Sequence, residues 1–248
     1  MKRSRTATVA IIAVLGALVV TNAHAGKECS EATLQGAYGF QVNGTSPAGV
    51  DFAVVGLMTF NGLGRWHSDN TSKVDGVISR SSTKGTYAVS SDCTGYMLDD
   101  SEPLIQQIVI VDGGNEMRSL ARMSDAPPNA HWTGLYKKQS VEDCTAATLE
   151  GGGWGYSFQG SLRVSDPPQP ATLVGRGTFD GAGTLSAAEW RVVGDEFITR
   201  SFDTPYTVSS DCTGTTGGSY FVLVGDGSEG FAIATTRNYP DIIFLKKQ

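Results

Sequence analysis

The chain repeats itself, and any fold for it must serve two copies of one pattern. Gly56-Leu57-Met58-Thr59-Phe60-Asn61-Gly62-Leu63-Gly64 returns as Gly175-Arg176-Gly177-Thr178-Phe179-Asp180-Gly181-Ala182-Gly183. Tyr87-Ala88-Val89-Ser90-Ser91-Asp92-Cys93-Thr94-Gly95 returns as Tyr206-Thr207-Val208-Ser209-Ser210-Asp211-Cys212-Thr213-Gly214, again 119 residues on. Cys29 to Leu34 matches Cys144 to Leu149 at an offset of 115, and Tyr136-Lys137-Lys138-Gln139 matches Leu245-Lys246-Lys247-Gln248 at 109. Offsets that drift by a few residues are loops of different length on one scaffold. Two tandem copies follow, 26–139 and 144–248, each the size of one small domain. Only Ser140-Val141-Glu142-Asp143 lies between them, so the copies are expected to pack together or stand in a fixed relation.

The cysteines obey the same repeat. Four cysteines permit three pairings, and each copy has one at its start and one in the Asp-Cys-Thr-Gly turn. Cys29–Cys93 and Cys144–Cys212 are the symmetric choice. Closing a loop of about 65 residues stabilises a domain by about 4 kcal/mol on the chain-entropy account. A metal site is the alternative, but no second Cys or His stands at ligand spacing.

Within each copy the signal is β almost throughout. Runs rich in Val, Ile, Thr and aromatics are separated by turn dipeptides such as Asn61-Gly62, Asp75-Gly76, Asp112-Gly113, Asp180-Gly181 and Asp226-Gly227, where Gly accepts positive φ at no steric cost. Connections this short join antiparallel neighbours. Eight strands are expected in the first copy, near 36–43, 52–60, 65–71, 74–80, 84–90, 95–100, 105–112 and 115–123, with a further closing strand at 131–137. Ser30–Leu34 and Thr145–Leu149 carry the only helical hints. The expected fold class is all-β: two tandem antiparallel up-and-down β-barrels of about eight strands each, which removes exposed edges. A pair of β-sandwiches is the alternative.

Leu34-x-Gly36-x-Tyr38-Gly39-Phe40, Phe60-Asn61-Gly62-x-Gly64 and Tyr87-x-Val89-x-x-Asp92-Cys93-Thr94-Gly95 together resemble a group of exported bacterial proteins of unassigned activity. The second copy carries Gly152-Gly153-Trp154-Gly155-Tyr156 around the Tyr-Gly-Phe position. The resemblance implies one small barrel per copy, similar to the lipocalin or allene oxide cyclase type. No catalytic residue of such barrels maps onto a matching motif here.

Export is expected from residues 1–25. Lys2, Arg3 and Arg5 form a charged start, Ala7 to Val20 an apolar stretch too short to span a bilayer, and Ala23-His24-Ala25 a cleavage pattern. The general secretory route, a periplasmic or extracellular destination and a mature chain from Gly26 follow. Of 19 basic residues three are then lost, leaving 16 against 25 acidic ones and a net charge of −9. So acidic a surface argues against nucleic acid and anionic membranes as partners, and the mature chain has no expected membrane span.

Chemistry is harder to find. His67 and His131, beside Trp66 and Trp132, occur only in the first copy. No Gly-x-Ser-x-Gly elbow occurs. Asp99-Asp100-Ser101-Glu102 and Asp195-Glu196 read as solvated loop charge, and the two Ser-Ser-Asp-Cys-Thr-Gly segments as polar hairpin turns beside a disulfide. Asp180-Gly181-Ala182-Gly183 and Gly225-Asp226-Gly227 lack the ligand alternation of a calcium loop. Two proline-rich segments, Asp125–Pro128 and Asp166–Pro170, read as stiff loops. No catalytic residue, metal ligand or cofactor is assigned. Trp66, Trp190, Tyr38 and Tyr156 are the candidate lining of a ligand cavity, since an eight-stranded barrel can hold one small ligand; filling the core is their other reading.

The expected function is an exported, non-enzymatic module that binds a small hydrophobic ligand in a barrel interior. A structural module that meets an extracytoplasmic protein is the alternative, and a barrel isomerase or cyclase a third reading that requires a buried carboxylate or a perturbed Tyr inside one barrel. N-terminal sequencing of protein recovered from the envelope or medium is expected to start at Gly26; a chain that keeps residues 1–25 contradicts export.

Overall fold

Turn chemistry divides the described residues into sixteen strands. At Asp75-Gly76 both residues take positive φ, 51° and 77°, the type I′ pair that matches the twist of a two-residue hairpin. Asn61 Oδ1 accepts from the backbone N–H groups of Leu63 and Arg65, and Asp180 Oδ1 from those of Ala182, Gly183 and Thr184, folding the same turn in each copy. A computed structural model describes residues 28–46, 49–101, 104–123, 131–162, 169–236 and 242–248. Residues 1–25, where the secretory signal is expected, lie outside that set.

The first copy comprises β1 (Gln35–Thr45), β2 (Asp51–Asn61), β3 (Arg65–Val74), β4 (Val77–Val89), β5 (Thr94–Asp99), β6 (Leu104–Val111), β7 (Glu116–Met123) and β8 (His131–Lys138). The second comprises β9 (Trp154–Leu162), β10 (Gln169–Phe179), β11 (Thr184–Val193), β12 (Glu196–Val208), β13 (Thr213–Thr216), β14 (Ser219–Val224), β15 (Glu229–Ala234) and β16 (Ile242–Lys247). Within each copy each strand pairs antiparallel with its sequence neighbours, and β1–β8 and β9–β16 close two up-and-down barrels. Closure excludes the sandwich alternative. We call the two barrel 1 and barrel 2.

The strand count needs one correction. The two strands expected at 74–80 and 84–90 are the single thirteen-residue β4, and 131–138 is the eighth strand. Ser81-Ser82-Thr83 lacks the Gly, Asn or Asp that a two-residue hairpin turn demands, and its hydroxyls bind across to β3: Thr83 to Ser68 at 2.9 Å and Ser81 to Asn70 at 2.9 Å. Gln169 and Pro170, assigned above to a loop, begin β10.

One end of each barrel is plugged in the same way. Cys29–Cys93 and Cys144–Cys212 are both disulfide-bonded. The 3-10 helices Glu31–Thr33 and Ala146–Leu149 lie beneath, with Leu34 and Leu149 buried. Tyr87 hydroxyl reaches the Leu34 carbonyl at 2.9 Å, and Tyr206 hydroxyl that of Ala146 at 3.1 Å. In the Asp-Cys-Thr turns, Asp92 and Asp211 each accept from the N–H and hydroxyl of the threonine two residues on.

The barrels pack side by side. Outward residues Ala53 and Val55 of β2 meet Val222 and Val224 of β14 and Phe231 and Ile233 of β15 in one buried cluster. Gly39 admits this approach: a Cβ there would fall 2.4 Å from Val224 Cγ1. The linker is ordered by the contact, Gly225 N–H donating to the Lys138 carbonyl and Ser140 N–H to that of Gly225. Lys137 of barrel 1 and Lys246 of barrel 2 both donate to Glu229. β14 and β15 are thus apolar on both faces, one toward barrel 1 and one into barrel 2.

Hydrogen bonds from Lys137, then Lys246, hold the Glu229 carboxyl below its usual value of 4.5. A depressed carboxylate stabilises the fold above its unfolded pKa and loses that contribution as pH falls through its folded value. For this partly buried pair, Glu229→Gln is expected to lower unfolding free energy by about 1 kcal/mol at neutral pH. Denaturation curves of variant and wild type should converge below pH 4.5; a gap that persists in acid would show the ion pair is not its source.

Candidate functional site

The two interiors share a framework and differ in what fills it. In barrel 1 one continuous cluster runs from the plug to the far end, including Tyr38, Met58, Trp66, Met97, Met117 and Tyr136. In barrel 2 the interior splits into a plug-end cluster with Trp154, Phe179, Tyr206 and Phe221 and a far-end cluster of Phe158, Ala171, Leu173 and Val193. A cavity of about 370 Å³ lies in the interior, lined by Phe179, Leu173, Phe202, Phe221, Ile243 and Leu245 among others, with Thr204, Gly217, Gly218 and Thr236 also in its wall.

Strand register explains the gap residue by residue. Tyr38 pairs with Met58 where Trp154 pairs with Gly177. Phe60 pairs with Trp66 where Phe179 pairs with Leu185. Tyr87 pairs with Met97 where Tyr206 pairs with Thr216. Met117 pairs with Tyr136 where Gly230 pairs with Leu245. Each change removes side-chain volume from barrel 2. Barrels of this size are otherwise filled by their own side chains.

The polar positions change in the opposite direction. The register pair Asn70–Ser81 of barrel 1 becomes Glu189–Arg200 in barrel 2. Glu189, Phe202 and Thr204 all belong to the cavity lining. The Glu189 side chain is 7% exposed and the Arg200 Nε donates to its Oε2 at 2.5 Å. Tyr156 hydroxyl donates to Oε1 at 3.3 Å, and the Arg200 guanidinium lies 4.6 Å from the Phe202 ring centre. Burying a carboxylate is costly unless it is hydrogen-bonded to a partner, and Arg200 supplies one. Burial first, then the Glu189 charge, pushes the Tyr156 phenol far above its usual 10. Tyr156 is therefore a protonated donor at any physiological pH, with oxygen lone pairs left to accept. Cavity, carboxylate, guanidinium and phenol together form an apolar chamber with one electrically neutral polar wall.

The four residues singled out from sequence do not converge. Tyr38 and Trp66 are buried in the filled barrel 1, where Tyr38 hydroxyl donates to the Gly114 carbonyl at 2.5 Å and Trp66 Nε1 to that of Thr86 at 3.0 Å. Burial pushes the Tyr38 phenol up to about 12. Trp190 stands on the outer face of barrel 2, 40% exposed, at the register of Thr71 rather than Trp66. Only Tyr156 lines the cavity. His67 pairs with Asp69 at 3.3 Å in exposed surroundings. Among the described residues no group of three His, Cys, Asp or Glu is placed to hold a metal. No described helix is long and apolar enough to cross a membrane. The segments 124–130 and 163–168, with most of the proline-rich stretches, lie outside the described residues, as does Glu102.

Sequence reading missed Glu189, Arg200 and Phe202. They lie on inward positions of β11 and β12, on the same face as Ala187 and Thr204, and a charge on an inward register is the available signal. The signal needs the strand phase, which turn residues alone leave open by one residue.

No protein-family model and no curated protein matches the sequence. Among solved structures, kievitone hydratase from Nectria haematococca is similar at 9% identity and a TM-score of 0.28, over 87% of this chain and 90% of that one. A candidate AttH protein from Nitrosomonas europaea is similar at 10% identity and a TM-score of 0.29, over 86% of this chain and 92% of that one. Likeness of that degree assigns neither chemistry nor ligand.

Proposed function

We propose that this chain is an exported binding protein whose second barrel takes up a small, neutral, mainly apolar ligand, while the filled first barrel supports it. The observation that carries the reading is the cavity of about 370 Å³ in barrel 2 at positions that barrel 1 fills with Met58, Trp66, Met97, Met117 and Tyr136. That volume falls within the range of about 300–1,000 Å³ typical of small-molecule sites. The apolar walls supply affinity by burial. The Glu189–Arg200 pair carries no net charge, so it disfavours a charged ligand, and the acceptor oxygens of Tyr156 and Glu189 suit a ligand bearing a hydroxyl or amide donor. Two disulfides suit an oxidising compartment outside the cytosol.

One observation favours a second reading, acid–base chemistry on the bound molecule: a buried carboxylate and a phenol meet at 3.3 Å inside the chamber. Arg200 Nε donates to the other oxygen of the same carboxylate at 2.5 Å, and a carboxylate fixed in this way is positioned as a general base is. Turnover of the ligand recovered from the protein, lost in Glu189→Gln, separates this reading from simple binding.

Titration with a neutral naphthylamine fluorophore is expected to saturate at one site per chain with micromolar affinity. Gly177→Met and Thr216→Met place barrel 1's side chains in barrel 2. A Cβ at Gly177 meets only the movable end of Leu185 below 3 Å, so the fold should survive. Each variant should weaken probe binding by about tenfold or more, the loss expected when a side chain fills the site. Unchanged binding in both variants, or no saturable binding by wild type, would overturn the proposal.

A further inference from the structure

The contact between the barrels is heterologous: barrel 2 presents β14 and β15, and barrel 1 receives them on β1, β2 and β3. Because the barrels are copies, each also carries the face the other uses. In barrel 1 the counterparts of Val222, Val224 and Ile233 are Val109, Val111 and Leu120, all large, apolar and exposed, Leu120 at 56%. In barrel 2 the counterparts of Val55, Thr71, Lys73 and Leu135 are Val174, Trp190, Val192 and Phe244. These four are exposed as well, Val174 at 52%. Exposed large apolar residues thus gather on the two faces whose counterparts are buried within the chain.

The charges match too. Glu229, which receives Lys137 across the internal contact, has Glu116 as its counterpart, and Lys137 has Lys246. Glu116 now pairs with Arg118 at the surface of barrel 1 at 2.7 Å. The used and unused faces of one barrel lie three strands apart. Measured between the face centres it is three and a half strands, about 160° with eight strands spread around the axis, while at the near edge Val174 and Phe244 also border the cleft opposite Gln41 and Phe52 of barrel 1.

We propose that a second copy of this chain docks the outer β9–β10–β11 face of its barrel 2 onto the β6–β7 face of barrel 1. The contact repeats between chains the one that joins the barrels within a chain. Arg118 stands where Phe231 packs and Arg176 where Leu57 packs, so the contact between chains is more polar and weaker than the internal one. Being heterologous, it closes into a ring or extends as a filament, according to the rotation each step makes.

Sedimentation velocity of the purified chain from about 1 to about 200 µM, the range for a modest interface, should show mass rising with concentration. Val109→Lys and Trp190→Lys, both at exposed positions, should each leave the melting temperature unchanged and weaken association by about tenfold or more. Mixed together, the two variants should form a one-to-one pair, because each keeps the face the other has lost. A wild type that stays monomeric throughout overturns the proposal. So does association abolished by one substitution but not the other, or a mixture that fails to pair.

Discussion

Everything in this architecture depends on the apolar contact of Val222, Val224, Phe231 and Ile233 with Ala53 and Val55. Each fully buried Val, Ile or Phe contributes about 1.5–3 kcal/mol gross. The same two strands that make this contact turn Phe221 and Ala232 into the chamber of barrel 2. A barrel with a void at its centre forgoes dispersion contacts, at a cost of about 24 cal/mol per Å³ where the void stays empty. Barrel 2 offsets part of that loss on its outside, where barrel 1 braces the chamber's back wall.

Duplication thereby separates two demands that conflict in a single small domain. A barrel of about a hundred residues needs its interior for stability, and a binding site needs the same interior for a ligand. Barrel 1 keeps Met58, Trp66, Met97, Met117 and Tyr136 in one unbroken core. Barrel 2 keeps the disulfide, the tyrosine plug and the aromatic contacts of Phe179 with Trp154 and Tyr206 at its closed end, and gives up the middle. The Glu189–Arg200 pair sits in that vacated zone, where an isolated charge would be costly and a paired one can orient a ligand's polar group.

Much of the fold was legible because turns and cysteines have local rules. Asp75-Gly76 needs only its own two residues to specify a hairpin, and the repeated Asp-Cys-Thr-Gly brought its disulfide with it. The site was less legible because it is defined by subtraction. Gly177, Thr216 and Gly230 are unremarkable alone and become informative only opposite Met58, Met97 and Met117. Trp190 is hard to place for the reverse reason: it lies five residues past Leu185, the counterpart of Trp66, and an odd displacement along a strand turns a side chain to the opposite face. The continuous apolar runs Tyr220–Val224 and Phe231–Ala234 were a readable sign that barrel 2 is covered on one side, since strands buried on both faces lose alternation.

The central claim is one filled barrel and one hollow one, and xenon tests it most directly, because it enters apolar cavities without needing a specific partner. In a crystal of the chain pressurised with xenon, density is expected inside barrel 2, among Leu173, Phe179, Phe221 and Leu245, and none inside barrel 1. Xenon at the centre of both barrels, or of neither, would contradict the division of roles between them.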